Sequence, residues 1–406
     1  MHIGLIGPIA SSDIADLVTC DVTSLPTGYS GGPLLATIIR ELLKRGHSVS
    51  AFTLTNDLPL THQSTFMASG PKFSISYVPM RPRAWRPNGW LPGRIVDLYR
   101  FEIAGLKQAV LNRKPDVLHA HWVYEFALAA VATALPYLVT CHDSPYTIAK
   151  LSSSSRPTRS LYRWLRVIMA LRTFKHADLV TAVSPYMRDA VQGLARQPLV
   201  VVPNPVDDVA MSTGKPRHLS HPPQIAMVCN GWDGRKNPQP GLFAFKALRQ
   251  AMPQAQLHLY GADFGADQTA HAWCVKQDLT EGVFFHGSMP HHRLLLQLSQ
   301  HDLLLHTSTE ESFGMVLAEA MAMGLPVVAG RSSGAVPWVV GDDGCLCDIT
   351  SPAAIASALV ATLEPARYAD LSKRGIAAVQ NRFTTEAVVD QFLGLYAQAI
   401  GRSAAC

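Results

Sequence analysis

The chain has 406 residues, 48% of them apolar and only 16% charged. That composition excludes a disordered chain, and the length exceeds one ordinary core, so two α/β domains of about 200 residues each are expected. The net charge of +5 divides unevenly: residues 1–205 carry 21 Lys and Arg against 12 Asp and Glu, a balance of +9, and residues 206–406 carry 14 against 18, a balance of −4. A basic first half suits an anionic partner, which a membrane surface or a phosphorylated acceptor supplies as well as nucleic acid does; nucleic acid is not expected.

No run of about 20 apolar residues is present to span a bilayer. The start, Met1-His-Ile-Gly-Leu-Ile-Gly-Pro, has no basic segment before its apolar run and turns polar at Ser11-Ser12-Asp13. It reads as a first strand and not as a signal peptide, so a cytoplasmic location is expected, with the inner face of the cytoplasmic membrane within reach. Seven scattered cysteines (20, 141, 229, 274, 345, 347, 406) fit a reducing compartment better than a disulfide framework. Cys345-x-Cys347 lacks metal-ligand spacing and reads as structural.

In chain order, residues 2–6, 48–54, 117–120, 137–141, 179–183 and 199–202 read as buried strands, with helical stretches such as 33–45 between them. This is the βαβ pattern of a parallel sheet covered by helices. Residues 212–217 and His221-Pro-Pro read as a polar, proline-marked linker. A second series of strands follows at 225–229, 256–260, 283–286, 303–306 and 326–329. The expected domains are 1–205 and 206–385, with a C-terminal helix over 386–406 packing back toward the first. Two Rossmann-like domains facing each other across a cleft would bind a ligand between the carboxyl ends of their sheets.

Several segments carry chemistry. Tyr29-Ser30-Gly31-Gly32 precedes the first long helix, and its glycines permit close backbone approach. Asp116-Val-Leu-His119-Ala-His121-Trp122 and Thr140-Cys-His142-Asp143 put histidines at the carboxyl ends of strands; His119 is expected to face away from His121 and to pack. Two stretches concentrate arginine with aromatic residues. One is Arg81-Pro-Arg83-Ala-Trp85-Arg86-Pro-Asn-Gly-Trp90; in the other, Arg156, Arg159, Arg163 and Arg166 recur at helical spacing beside Tyr162 and Trp164, followed by Arg172 and Lys175. Such a stripe suits an anionic headgroup layer.

In the second half, Asn230-Gly231-Trp232-Asp233-Gly234-Arg235-Lys236-Asn237 follows a strand, and Leu259-Tyr260-Gly261 and Phe285-His286-Gly287 end two more. The sharpest signal is Thr309-Glu310-Glu311-Ser-Phe313-Gly314-Met315-Val316-Leu-Ala-Glu319-Ala-Met-Ala-Met-Gly324-Leu-Pro-Val-Val-Ala329, an acidic loop that feeds a helix at Phe313-Gly314. Free N–H groups and the positive end of the macrodipole attract phosphate at such a start. Glu311 in the loop is placed to accept hydrogen bonds from sugar hydroxyls, and Glu319, two turns along, from ribose hydroxyls.

This last string resembles the family 4 glycosyltransferases of GT-B fold, whose motif is Glu, seven residues, Glu, then Ala-Met-Ala-x-Gly-x-Pro-Val. The resemblance covers nearly the whole chain. It implies a retaining hexosyltransferase in envelope polysaccharide or glycolipid synthesis, moving a sugar from a nucleotide-sugar, a UDP-sugar in preference to a GDP-sugar, to a sugar or lipid-linked acceptor hydroxyl. It implies Glu311, His121, Lys236 and Arg235 at the reaction, the cations holding the leaving diphosphate. It places Gly31, Gly32, Gly231, Gly261, Phe313, Gly314, Met315, Val316 and Glu319 on the donor, and Tyr29, Ser30 and His142 near the acceptor. The commoner family pattern has its Arg about five residues before the Lys, where Gly231 stands here, and many relatives have Glu where Trp338 stands. The leaving diphosphate is thought to help deprotonate the acceptor, and Glu311 has no paired carboxylate to act as a glycosidase-type acid. No Asp-x-Asp stands in a suitable loop, so neither an essential metal nor a cofactor is expected. Other readings are a UDP-sugar 2-epimerase or sugar phosphorylase of the same fold, or a non-catalytic nucleotide-sugar binding protein. An NAD-dependent dehydrogenase fits poorly, because Gly4-Leu-Ile-Gly7-Pro is not Gly-x-Gly-x-x-Gly.

Overall fold

A computed structural model describes residues 1–151 and 157–404. The chain divides into two compact units, Met1–Pro203 with Thr385–Cys406, and Asn204–Thr384.

The first unit is built on an eight-stranded sheet of β1 (His2–Ile6), β2 (Ser48–Thr55), β3 (Phe66–Gly70), β4 (Phe73–Pro79), β5 (Val117–His121), β6 (Tyr137–Cys141), β7 (Val180–Ala182) and β8 (Val200–Val201), in the order β3-β4-β2-β1-β5-β6-β7-β8. All neighbours run parallel except β3 against β4. Helices cover the parallel strands, so apolar runs such as Ile3–Ile6 are buried on both faces. The β3–β4 hairpin was not anticipated from the sequence. β3 is an edge strand with only Ala68 buried, and its turn is made by Lys72 at φ 56°, so neither a continuous apolar run nor a glycine turn marks it.

The last helix, Thr385–Ala404, belongs to this unit. Val388, Val389, Phe392, Tyr396 and Ala399 sink into the same core as Ile3, Leu5 and Leu138. Each large side chain so buried contributes roughly 1.5–3 kcal/mol. At the rim, Lys44 pairs with Glu386, Arg45 with Asp390, and Arg402 bonds the Asp178 carbonyl.

The second unit holds β9 (Gln224–Val228), β10 (Gln256–Tyr260), β11 (Val283–Gly287), β12 (Leu303–His306), β13 (Val327–Gly330) and β14 (Cys345–Cys347). They pair in the order β11-β10-β9-β12-β13-β14, all parallel. β14 gives Cys345-x-Cys347 its role: both thiols are buried and unpaired, packed into the core. The expected linker over 212–217 is not a free tether. Asp208–Ser212 is helical, and the Arg217 guanidinium, half-buried, donates to the carbonyls of Met323, His301 and Ser299 at 2.8–2.9 Å. Proline and polar residues marked a linker there; carbonyls left over at the ends of neighbouring helices capture its arginine.

Candidate active site

In the second unit, three chain segments converge on one carboxylate. β12 ends at His306, the following loop carries Glu311, and the loop after β9 carries Arg235 and Lys236. Lys236 Nζ donates to Glu311 Oε1 at 2.6 Å, with both side chains less than 15% exposed. His306 Nε2 stands 3.4 Å from the same oxygen, off the hydrogen-bonding direction. Burial by itself would raise the Glu311 carboxyl; the His306 contact and the Lys236 ammonium outweigh it and hold the carboxyl well below the usual carboxylate range. Glu311 is therefore an anion with fixed neighbours.

The backbone holds this arrangement. Thr309 donates to the Arg235 carbonyl through its N–H, at 2.8 Å, and its hydroxyl, at 3.1 Å; the Thr307 hydroxyl donates to the Lys236 carbonyl. Asn237, left-handed at φ 48°, donates its side-chain amide to the carbonyls of Thr307 and Ile349. The loop that presents both cations is thus sewn to the loop that presents Glu311. A non-glycine residue held left-handed costs on the order of 1 kcal/mol and persists because its surroundings over-determine it.

Gly314 caps the Met315–Ala322 helix at φ 90°, and a Cβ there would lie 2.9 Å from Leu317 Cδ1. The left-handed φ would strain any side chain there, so glycine brings bare backbone to the first N–H groups of the helix. Phe313 is buried edge-on against Trp338 and Phe383, and can offer a ligand only its main chain. The position where relatives carry Glu is thus used here to close an aromatic cluster under Phe313, with Arg382 over the Trp338 ring at 4.9 Å. Met315 and Val316 are half-buried on the first turn. Glu319 is buried, and His291 Nε2 lies 2.8 Å from its Oε1. Gly261 closes the neighbouring strand end at φ 115°, with its N–H on the Gly287 carbonyl, and a Cβ there would lie 1.8 Å from the Cys229 carbonyl oxygen. The Gly231 N–H bonds the Ala262 carbonyl, so these three strand-end loops are zipped together.

In the first unit, His121 ends β5 and His142 follows β6, with Nδ1 of the one 2.9 Å from Nε2 of the other. Trp122, left-handed at φ 64°, stacks on His142 at 4.3 Å. His119 does not face away. Strand residues two apart share a face, and its ring lies 4.0 Å from that of His121. It is nonetheless a packing residue: Nδ1 meets the Tyr396 hydroxyl at 2.8 Å and Nε2 meets Thr140 at 2.7 Å. Burial pulls all three imidazoles down, His142 to about 3, so they are neutral at pH 7. His121 Nε2 is buried with no hydrogen-bond partner among the described residues, a polar atom left for something else to meet. Tyr29 packs edge-on to Phe126, while Ser30 and Gly31 are exposed and Gly32 is buried just before the Leu34–Lys44 helix.

The arginine stripe is corrected by the structure. Arg156 lies outside the described residues. Arg166, its side chain only 14% exposed, is paired with Glu125 at 3.0 Å and laid over the Tyr124 ring at 3.9 Å. Arg81, fully buried, binds both Glu102 and Asp97. Helical spacing had aligned the arginines; burial of Val167, Met169, Ala170 and Phe174 turns Arg166 inward, whereas Arg159 stays exposed.

Two family profiles together span most of the chain: residues 33–209 match Glycosyltransferase Family 4 and residues 222–365 match Glycosyl transferases group 1. The chain is a family 4 glycosyltransferase of GT-B fold. The glycosyltransferase is 28% identical to a D-inositol 3-phosphate glycosyltransferase of Acidothermus cellulolyticus, over 92% of this chain and 87% of that protein. It is 26% identical to an N-acetyl-alpha-D-glucosaminyl L-malate synthase of Bacillus anthracis, over 92% and 95%. In fold it is similar to a sucrose-phosphate synthase from Thermosynechococcus elongatus, with a TM-score of 0.75 at 20% identity, covering 99% of this chain and 100% of that one. It is also similar to Anabaena HepE in complex with UDP-glucose, with a TM-score of 0.64 at 18% identity, covering 98% and 100%.

Two participants had escaped notice in the sequence of this glycosyltransferase. His306 carried a signal, a histidine at a strand's carboxyl end five residues before Glu311. His291 carried none, because it reaches Glu319 across 28 residues from a separate helix.

Proposed function

We propose that the glycosyltransferase moves a sugar from a UDP-sugar, in preference to a GDP-sugar, to an acceptor hydroxyl with retention of anomeric configuration. The observation that carries this reading is the buried Glu311 carboxylate, ionised and fixed by Lys236 beside the Gly314-capped helix. A fixed anion of this kind suits hydrogen bonds to sugar hydroxyls, and Lys236 with Arg235 suits the growing charge of a leaving diphosphate. With Lys236 already on Glu311, a diphosphate would share the ammonium rather than meet it free. Glu319 is assigned to the ribose and His291 is its present partner. Gly31, Gly32, Gly231 and Gly261, with Phe313, Met315 and Val316, are assigned to the donor through their main chain. His121 is assigned to the reacting sugar, and Tyr29, Ser30 and His142 to the acceptor. The proposed reaction uses no metal and no separate cofactor, the cationic side chains and helix N-terminus neutralising the diphosphate.

The acceptor is proposed to be a sugar or lipid-linked alcohol of envelope polysaccharide or glycolipid synthesis, met at the inner face of the cytoplasmic membrane. A small anionic alcohol is the second reading, supported by the names of the two relatives, which specify D-inositol 3-phosphate and L-malate. A thermal-shift panel of UDP, GDP, ADP and their sugars tests the donor, since a ligand of the folded state raises stability by RT ln(1 + [L]/Kd). Stabilisation by UDP-sugars above all others is expected; a GDP-sugar preference would overturn the base assignment. Incubation with the UDP-sugar alone then separates transfer from epimerisation, because an epimerase changes the sugar without releasing nucleotide. Full turnover in EDTA is expected, and loss restored by a divalent cation would overturn the metal-free proposal.

A further inference from the structure

The outward side of the Pro157–His176 helix is apolar where a surface helix would ordinarily be polar. Leu161, Trp164, Ile168 and Leu171 are 52%, 44%, 43% and 38% exposed. Their spacing of three, four and three residues confines them to about 80° of arc at 100° per residue. Arg172 and Lys175 fall within or beside the same arc, and both are exposed. The inward side carries Val167, Met169, Ala170, Thr173 and Phe174, already buried in the first unit. The helix therefore has two apolar sides; among the described residues the core covers one, and on the other Trp164 meets only the edge of the Tyr146 ring, at 6.2 Å, and stays 44% exposed.

Charge indicates what the other meets. The 20 residues of this helix include no Asp or Glu. Acidic side chains beside the helix are engaged: Glu125 with Arg166, Asp143 with the Tyr124 hydroxyl, and Asp178, just past the helix, with Arg196 at 3.5 Å. A second apolar prominence adjoins the helix, because the Tyr99 hydroxyl meets that of Tyr162 at 2.7 Å. The segment leading to Tyr99 exposes Trp90 by 84% and Val96 by 58%, with Arg83, Arg86 and Arg100 also exposed. An isologous pairing with a second copy would set these cations against one another with no carboxylate on the helix to match them. Bulky apolar side chains among unmatched cations fit a layer that is apolar beneath and anionic at its surface.

We propose that this helix face is the surface by which the protein docks on an anionic lipid bilayer, with Trp164 and Ile168 seated among the acyl chains and Arg172 and Lys175 in the headgroups. The docking surface uses none of the residues assigned to sugar transfer and does not depend on that assignment. It is tested with the full chain by co-sedimentation on vesicles of phosphatidylcholine alone and of phosphatidylcholine mixed two to one with phosphatidylglycerol. Partition onto the mixed vesicles at low salt, and its loss at high salt, are expected. Trp164→Ser with Ile168→Ser should weaken binding at least about tenfold, and Arg172→Glu with Lys175→Glu should abolish the preference for anionic vesicles by a similar factor. Circular dichroism and nucleotide thermal shift should be unchanged in both, since all four side chains are exposed and only Trp164 loses a contact, the edge of the Tyr146 ring. Equal partition onto the two vesicle types, none at low salt, or undiminished binding by the apolar variant would overturn the proposal. So would a dimer by light scattering that the apolar variant dissociates, because a second copy would then own the face.

Discussion

Lys236 Nζ and Glu311 Oε1, 75 positions apart in the chain, meet at 2.6 Å in a setting from which water is largely excluded. The contact helps hold the Glu311 carboxyl ionised, and each partner can be tested alone. Glu311→Gln removes the anion while keeping the shape. We expect kcat to fall by on the order of 10²-fold or more while UDP affinity changes little. If UDP binding collapses while the remaining complex turns over normally, Glu311 serves the nucleotide and not the sugar.

Lys236→Ala should lower kcat/KM by on the order of 10²-fold or more, as loss of one charge-stabilising donor commonly does. It also leaves Glu311 buried without its ammonium. The carboxyl then moves toward neutrality, so the acid limb of the pH–rate profile should shift upward relative to the parent enzyme. An unmoved limb with full activity would remove Lys236 from the site. Arg235→Ala, whose side chain makes no such pair among the described residues, should cost activity without moving that limb.

His121→Ala should abolish transfer and leave the nucleotide thermal shift intact, because the donor residues assigned above, apart from Gly31 and Gly32, lie in the other unit. A fully active variant would shift the role to His142 or remove it.

Acid should weaken the first unit through its histidines. His142, near 3 in the folded chain, regains its usual value of 6.5 on unfolding, so between those limits the unfolded state holds the extra proton. Stability then rises with pH, which means it is lost on acidification below about 6.5, at about 1.4 kcal/mol per pH unit for each such group. His119 and His121 add in the same direction. Replacing His142 by Phe keeps a ring on Trp122 and should flatten the dependence by one group's share, read as Tm against pH; an unchanged slope would contradict the neutral-histidine assignment.

Arg81→Met should destabilise the first unit by about 3–5 kcal/mol, since Glu102 is fully buried and would lose its cation. Thermal unfolding measures this directly. Arg81→Met paired with Glu102→Leu should recover most of the loss, whereas no recovery would mean that Asp97 carries the network.

Much of the architecture was legible in the chain because it is written in short-range periodicities. Apolar runs of four to seven residues between helical stretches specify parallel strands, and β1, β6, β10 and β12 stand where those runs do. The Glu311-to-Glu319 string and the glycine before its helix are likewise local, since a helix start needs its left-handed cap within one turn. The family could be read from that string alone.

What tertiary structure decided is which side of each element the rest of the chain covers. The same helical period that aligned Arg159, Arg163 and Arg166 left open which stripe would be buried, and it took Glu125 and the core around Phe174 to turn Arg166 inward and Leu161, Trp164 and Ile168 outward, while Arg159 stays exposed. The partners of Glu311, Glu319 and His119 arrive from 75, 28 and 277 residues away. Nothing in a local pattern encodes such meetings, because they follow from strand order and helix docking, and those are settled by burying the most apolar surface in one core.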